Sequence, residues 1–132
     1  MKQGFAWALA LLTAMTACET PSNQVVVPNF KLQVHVVHHT WPVGGCKVYL
    51  KRNATQWPGR NPVAYDDSAL TNAAGFCLFD SLFYGDYYLY AIGWDKLVQD
   101  SVTGNSWVPL TPHNVRDGRC DTVLWVSEQA PH

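Results

Sequence analysis

The chain has 132 residues, enough for one domain with a buried core and too few for two. Ten acidic residues against nine basic ones leave a formal charge of −1, and charged residues make up only 14% of the chain, so neither nucleic acid nor an anionic membrane surface is an expected electrostatic partner. Aromatics reach 13%, with six Trp and six Tyr, and no charge run, heptad or repeat points to a coiled coil or a disordered tail.

The chain opens with a single positive charge at Lys2, an apolar run from Phe5 to Leu12, and the sequence Thr13-Ala14-Met15-Thr16-Ala17-Cys18. This is the pattern of a secretory signal, and the apolar run is too short to span a bilayer. Met15-Thr16-Ala17-Cys18 resembles the lipobox of bacterial lipoproteins, with Met15 where Leu is usual. The resemblance implies that residues 1–17 are removed and that Cys18 is lipidated, anchoring the chain in the bacterial cell envelope, on the outer membrane and facing periplasm or surface. Residues 18–29, polar and Pro-containing at Glu19 to Gln24, then read as a flexible tether.

From Phe30 the dominant period is two. Phe30, Leu32, Val34 and Val36 alternate with Lys31, Gln33 and His35 in a half-buried strand. Pro42 to Gly45 form a turn, and Cys46, Val48 and Leu50 alternate with Lys47, Tyr49 and Lys51 in a second strand. Asn53 to Pro62 read as a surface loop, Val63 to Leu70 as a weak third strand, Asn72 to Gly75 as a turn and Phe76 to Phe79 as a fourth strand. The fifth and most apolar strand runs from Asp86 to about Trp94; Ser106 to Thr111 and Thr122 to Val126 supply two more. Seven short strands with turns at this spacing predict an all-β, antiparallel Greek-key sandwich over residues 30–127, followed by a short tail, 128–132.

Thr71-Asn72-Ala73-Ala74-Gly75, followed by Phe79, Leu82, Gly85, Tyr87 and Ala91, resembles the core signature of transthyretin (prealbumin)-like domains, among them the carboxypeptidase regulatory-like and collagen-adhesin B-type modules. Pro42 to Leu50 fits the earlier element of that pattern, with Cys46 at an Ala position and Asn72 at the usual Asp. The resemblance speaks for a fold and not for an activity, because its residues are turns and core. One transthyretin-like branch hydrolyses hydroxyisourate with a C-terminal Tyr-Arg-Gly-Ser, but this chain ends Val126-Ser127-Glu128-Gln129-Ala130-Pro131-His132. No nucleophile motif occurs either, so no catalytic residue and no cofactor are expected.

Five His raise the question of a metal, above all in His35-Val36-Val37-His38-His39. On a strand, His38 and His39 point to opposite faces, and His35 and His39 lie about 13 Å apart, so no metal site is expected. Cys46, Cys77 and Cys120 allow one disulfide, Cys46–Cys77 being the favoured pair, or three buried thiols. With Tyr87, Leu89 and Ala91 facing inward, Tyr88, Tyr90, Ile92 and Trp94 form an outward face that is apolar for a sandwich exterior. Tyr88, Tyr90, Trp94 and the loop residue Trp57 are therefore the candidate binding surface, unless the loop covers them. Four Asp-Ser/Thr-apolar triplets, at Ser68, Ser81, Ser101 and Thr122, are similar to the O-glycosylation sequon of exported Bacteroidota-type proteins, although Asp-Ser is also ordinary turn chemistry. The expected role is a non-enzymatic envelope module that binds a protein partner; the alternative is a carbohydrate-binding accessory domain.

Overall fold

The computed structural model describes residues 29–128. The signal segment, Cys18 and nearly all of the tether lie outside the described residues, as do residues 129–132.

Eight strands make up the domain: β1 (Phe30–His38), β2 (Trp41–Pro42), β3 (Lys47–Arg52), β4 (Asp67–Leu70), β5 (Phe76–Leu82), β6 (Gly85–Asp95), β7 (Asp100–Leu110) and β8 (Arg119–Glu128). One layer is β5–β1–β8 and the other is β4–β3–β6–β7. The two are parts of one curled sheet, joined where β7 pairs with β8 at Val102↔Glu128 and Thr103↔Ser127. Leu32, Val34 and Val36 of β1, Leu124 and Val126 of β8, and Phe79 of β5 meet Val48, Leu50, Tyr87, Leu89, Ala91 and Val108 between the layers, all buried. These are the alternate residues of each strand, which is why a period of two produces a two-layer core.

The all-β sandwich is as expected, but the strand plan differs in three ways. β1 and β8 pair in parallel, from Lys31↔Arg119 to His38↔Val126. The first and last strands of the described residues can do this because the whole domain serves as their crossover, a long-range pairing that no local pattern reveals. β2 is an added strand: it lies end to end with β5 along the same edge of β1, and Val36 bridges the join, its N–H donating to Gly75 O (2.8 Å) and its C=O accepting from Val43 N (3.0 Å). Finally, Pro62–Ala64 form a 3₁₀ turn capped by Asn61 Oδ1 instead of opening the third strand, because proline cannot donate to a ladder.

The Thr71 to Ala91 stretch does the structural work its pattern suggests. Thr71 is buried, its hydroxyl donating to Val43 O (2.7 Å) and accepting from Cys46 N (2.8 Å), which ties the β4–β5 turn to the start of β3. Asn72 Oδ1 accepts from Ala74 N and Phe76 N, both at 3.0 Å, the bonds an Asp would accept. Gly75 has φ +84, and a Cβ there would stand 2.7 Å from Pro42 Cβ and 2.9 Å from Val36 O, so only glycine fits. Tyr87 Oη closes the β5–β6 corner by donating to Phe83 O (3.0 Å). Ser81, at φ +59, is the extra residue of a bulge against β1. The bulge shifts the inward period by one, so that both Phe79 and Leu82 reach the core.

Candidate functional site

The outer face of the β4–β3–β6–β7 layer is built in cross-strand rows. Leu70, Lys47, Ile92 and Thr103 form one; Ser68, Tyr49, Tyr90 and Asn105 the next; Lys51, Tyr88 and Trp107 the third. Directly paired residues share a face, so the aromatic side chains of three strands and one loop meet on the outside of the sheet.

The loop does cover part of this face. Tyr65 stacks on Tyr90 (5.9 Å between centroids, 24°), Tyr49 stacks on it from the side (6.1 Å, 19°), and Trp57 tilts over it at 6.2 Å. Tyr90 is left 3% exposed and cannot touch a partner, which removes it from the expected binding surface. Burial pushes the Tyr65 phenol up to about 12 and raises that of Tyr90. The loop folds this way because its prolines and Gly59 bend it back on itself, and Tyr65 Oη donates to Gly59 O (2.7 Å) to hold the bend. Trp57 packs from above and stays 44% exposed, while Tyr88 is half-buried with its hydroxyl donating to Asn105 Oδ1 (3.0 Å). Trp94 is 52% exposed and Trp107 49%, the latter with its indole N–H donating to Asp86 Oδ1 (3.0 Å). Trp107 belongs to this surface through the Tyr88↔Trp107 pair; the register of β7, which begins six residues earlier than its sequence pattern suggests, puts it there.

A second constellation sits where β1, β6 and β8 end together. His38, the last residue of β1, is 1% exposed. Its Nδ1 lies 2.5 Å from Asp95 Oδ2 and its Nε2 2.9 Å from Glu128 Oε1. Asp95 also accepts from Trp41 Nε1 (2.7 Å) and, through Oδ1, from Leu97 N (2.8 Å). Both ring nitrogens thus face carboxylates. Burial lowers the His38 pKa, but the bonds to Asp95 and Glu128 outweigh it and hold the imidazole above its ordinary value. The strand argument that sends His38 and His39 to opposite faces fails here. His39 has φ +58 and begins the two-residue turn into β2, so its ring swings back to 4.1 Å from that of His38. His35 stays apart, stacked on Phe76 (4.1 Å, 10°) on the outer face of the β5–β1–β8 layer. Asp95 falls just past the expected end of the fifth strand and Glu128 in the expected tail; only the shared ending of three strands brings them to His38.

Cys46, Cys77 and Cys120 are free thiols in the core, with no Cys46–Cys77 bridge formed. Burial pushes Cys46 up to about 12 and Cys77 up to about 11, so all three behave as small apolar residues. Among the sequon residues, Ser68 and Ser81 are exposed and Ser101 and Thr122 half-buried. In the three Asp-Ser cases, at Ser68, Ser81 and Ser101, the Asp Oδ1 accepts from the following Ser N at 2.7–2.8 Å.

No protein-family model and no curated protein matches the sequence. Among solved structures the chain is similar to BcpA, the major pilin subunit of Bacillus cereus, with a TM-score of 0.50 at 9% identity over 76% of this chain. The chain spans 30% of that pilin's length. The likeness is one of fold alone.

Proposed function

We propose that this protein is a non-enzymatic interaction module of the bacterial cell envelope, held at the membrane by a lipid on Cys18 and docking a protein partner through the outer face of its β4–β3–β6–β7 layer. One observation carries the reading. Ile92 and Trp94 project side by side from β6 and are 37% and 52% exposed, with Trp107 and Trp57 beside the half-covered tyrosines of the same face. Leaving such side chains in water is unfavourable by roughly 25 cal/mol per Å², which a docked partner recovers, and Trp at the centre of an interface is a common anchor. The sandwich fold it shares with a pilin subunit is consistent with a structural role.

Sugar stacking on the same tryptophans is the second reading, favoured by the Trp107 indole, whose N–H is already held by Asp86 and whose ring is thereby fixed in place. Cross-linking in whole envelopes followed by capture, run beside a glycan array, separates the two. A partner that cross-links to wild type and is lost in Trp94→Ala supports protein docking. Glycan binding lost in Trp107→Ala, without a protein partner, replaces it with the carbohydrate reading. Metabolic lipid labelling that persists in Cys18→Ser overturns the anchor.

A further inference from the structure

We propose that His38, His39 and Glu128 bind one zinc-type divalent cation, with Asp95 orienting His38 from behind. One donor atom from each of the three lies within 4.8 Å of the others. His38 Nε2 is 2.9 Å from Glu128 Oε1, and His39 Nε2 is 3.8 Å from Glu128 Oε2. Metal–ligand bonds of about 2.0–2.2 Å in tetrahedral geometry place neighbouring donors about 3.3 Å apart. This lies between the two separations to Glu128 and inside the 4.8 Å that bounds all three donors, so closing on an ion needs only an adjustment of the exposed His39 and Glu128 side chains toward the buried His38.

Three features go beyond a chance meeting of polar groups. Asp95 engages Nδ1 of His38 and so directs Nε2 toward Glu128 and His39, the carboxylate–histidine arrangement that supports metal-bound imidazoles. Asp95 is itself fixed by Trp41 Nε1 and Leu97 N, so the orienting group is rigid. His39 sits at φ +58, where a non-glycine residue loses on the order of 1 kcal/mol, and that conformation is what turns its ring to the same side as His38. Two imidazoles with one carboxylate select zinc and its first-row neighbours over magnesium or calcium. His38 forms the buried floor, while His39 and Glu128 are 55% and 39% exposed and leave an entry path and a fourth coordination position open to solvent. On loading, the cation replaces the proton on His38 Nε2, which passes to buffer.

The test is calorimetric titration of Zn²⁺ into the chelator-stripped full chain, with Co²⁺ as a spectroscopic substitute. One equivalent is expected to bind and raise Tm, and Co²⁺ is expected to give tetrahedral d–d bands without thiolate charge transfer, which keeps the cysteines out of the site. His39→Asn retains a residue that accepts positive φ, and it and Glu128→Gln are each expected to weaken binding by about 10-fold or more. His35→Ala is expected to change nothing. Absence of binding overturns the proposal, as does binding that survives both His39→Asn and Glu128→Gln or that shows thiolate charge transfer. In those cases His38 is a buried imidazole clamped between two carboxylates and no more.

Discussion

The His38 imidazole lies 2.5 Å from the Asp95 carboxylate although the two residues are 57 positions apart in the chain, and both are almost fully buried. Removing one partner of such a pair leaves the other desolvated, which typically costs about 3 kcal/mol. Asp95→Ala also strands the Trp41 indole N–H and the Leu97 amide. We expect it to lower unfolding free energy by about 3 kcal/mol in urea titrations, with little change in m-value. A loss below about 0.5 kcal/mol would show that the cluster does not stabilise the fold.

The same cluster sets a pH dependence in the cation-free protein. The His38 pKa is raised above 6.5 in the folded state, so the native protein holds this proton more tightly than the unfolded chain. That contribution is complete below about pH 6.5 and disappears as pH rises through the higher folded value. Asp95 moves the other way: burial raises its pKa, the bonds from His38 and Trp41 outweigh this, and its contribution is lost as pH falls through a value below 3.8. Glu128 is also lowered, by its own backbone N–H and then by His38, and the exposed His39 faces it. Urea midpoints should therefore peak on the mildly acidic side and decline toward alkaline pH. His38→Gln should flatten that decline; an unchanged alkaline limb in this variant would assign it to other groups.

Gly104 lies where the two layers join. A Cβ there would stand 2.1 Å from Trp125 O and 3.0 Å from Val126 Cγ1, and the close neighbour is backbone, which cannot step aside. Gly104→Ala must therefore prise β7 from β8, at about 3 kcal/mol or more. Thermal unfolding by circular dichroism should show a Tm lower by well over 5 °C, or no soluble protein at all. A Tm within 1 °C of wild type would mean that the β7–β8 contact is looser than described.

Trp57 pins the Asn53–Pro62 loop onto Tyr90. Without it the loop loses its aromatic contact with Tyr90, and Arg60, already exposed, becomes a better protease site. Trp57→Ala should speed limited tryptic cleavage after Arg60 several-fold while leaving the global urea midpoint nearly unchanged. Equal cleavage rates would show that Tyr65 alone holds the loop.

The three core thiols should be silent in the native state. With Cys46 up at about 12 and Cys77 at about 11, the thiolate fraction at neutral pH is negligible, and burial blocks access as well. A thiol reagent should label them only at the rate of unfolding, all three together. Fast labelling of Cys46 alone would reveal a local opening at the start of β3.

Alternation of apolar and polar residues, with glycine and asparagine at the turns, sufficed for the sandwich and for most of its core, because inward-facing periodicity and turn chemistry are local properties of the chain. Leu89, Ala91 and Tyr87 are buried, and Gly75 and Asn72 turn the chain, as their spacing implies. Tertiary structure decided what local pattern cannot carry. The parallel β1–β8 pairing, the bulge at Ser81 that brings Leu82 inside, and the burial of Tyr90 under Trp57 and Tyr65 all depend on segments distant in sequence. So does the meeting of His38, Asp95 and Glu128, since three strands must end at the same place before Asp95 and a tail glutamate can face one buried imidazole.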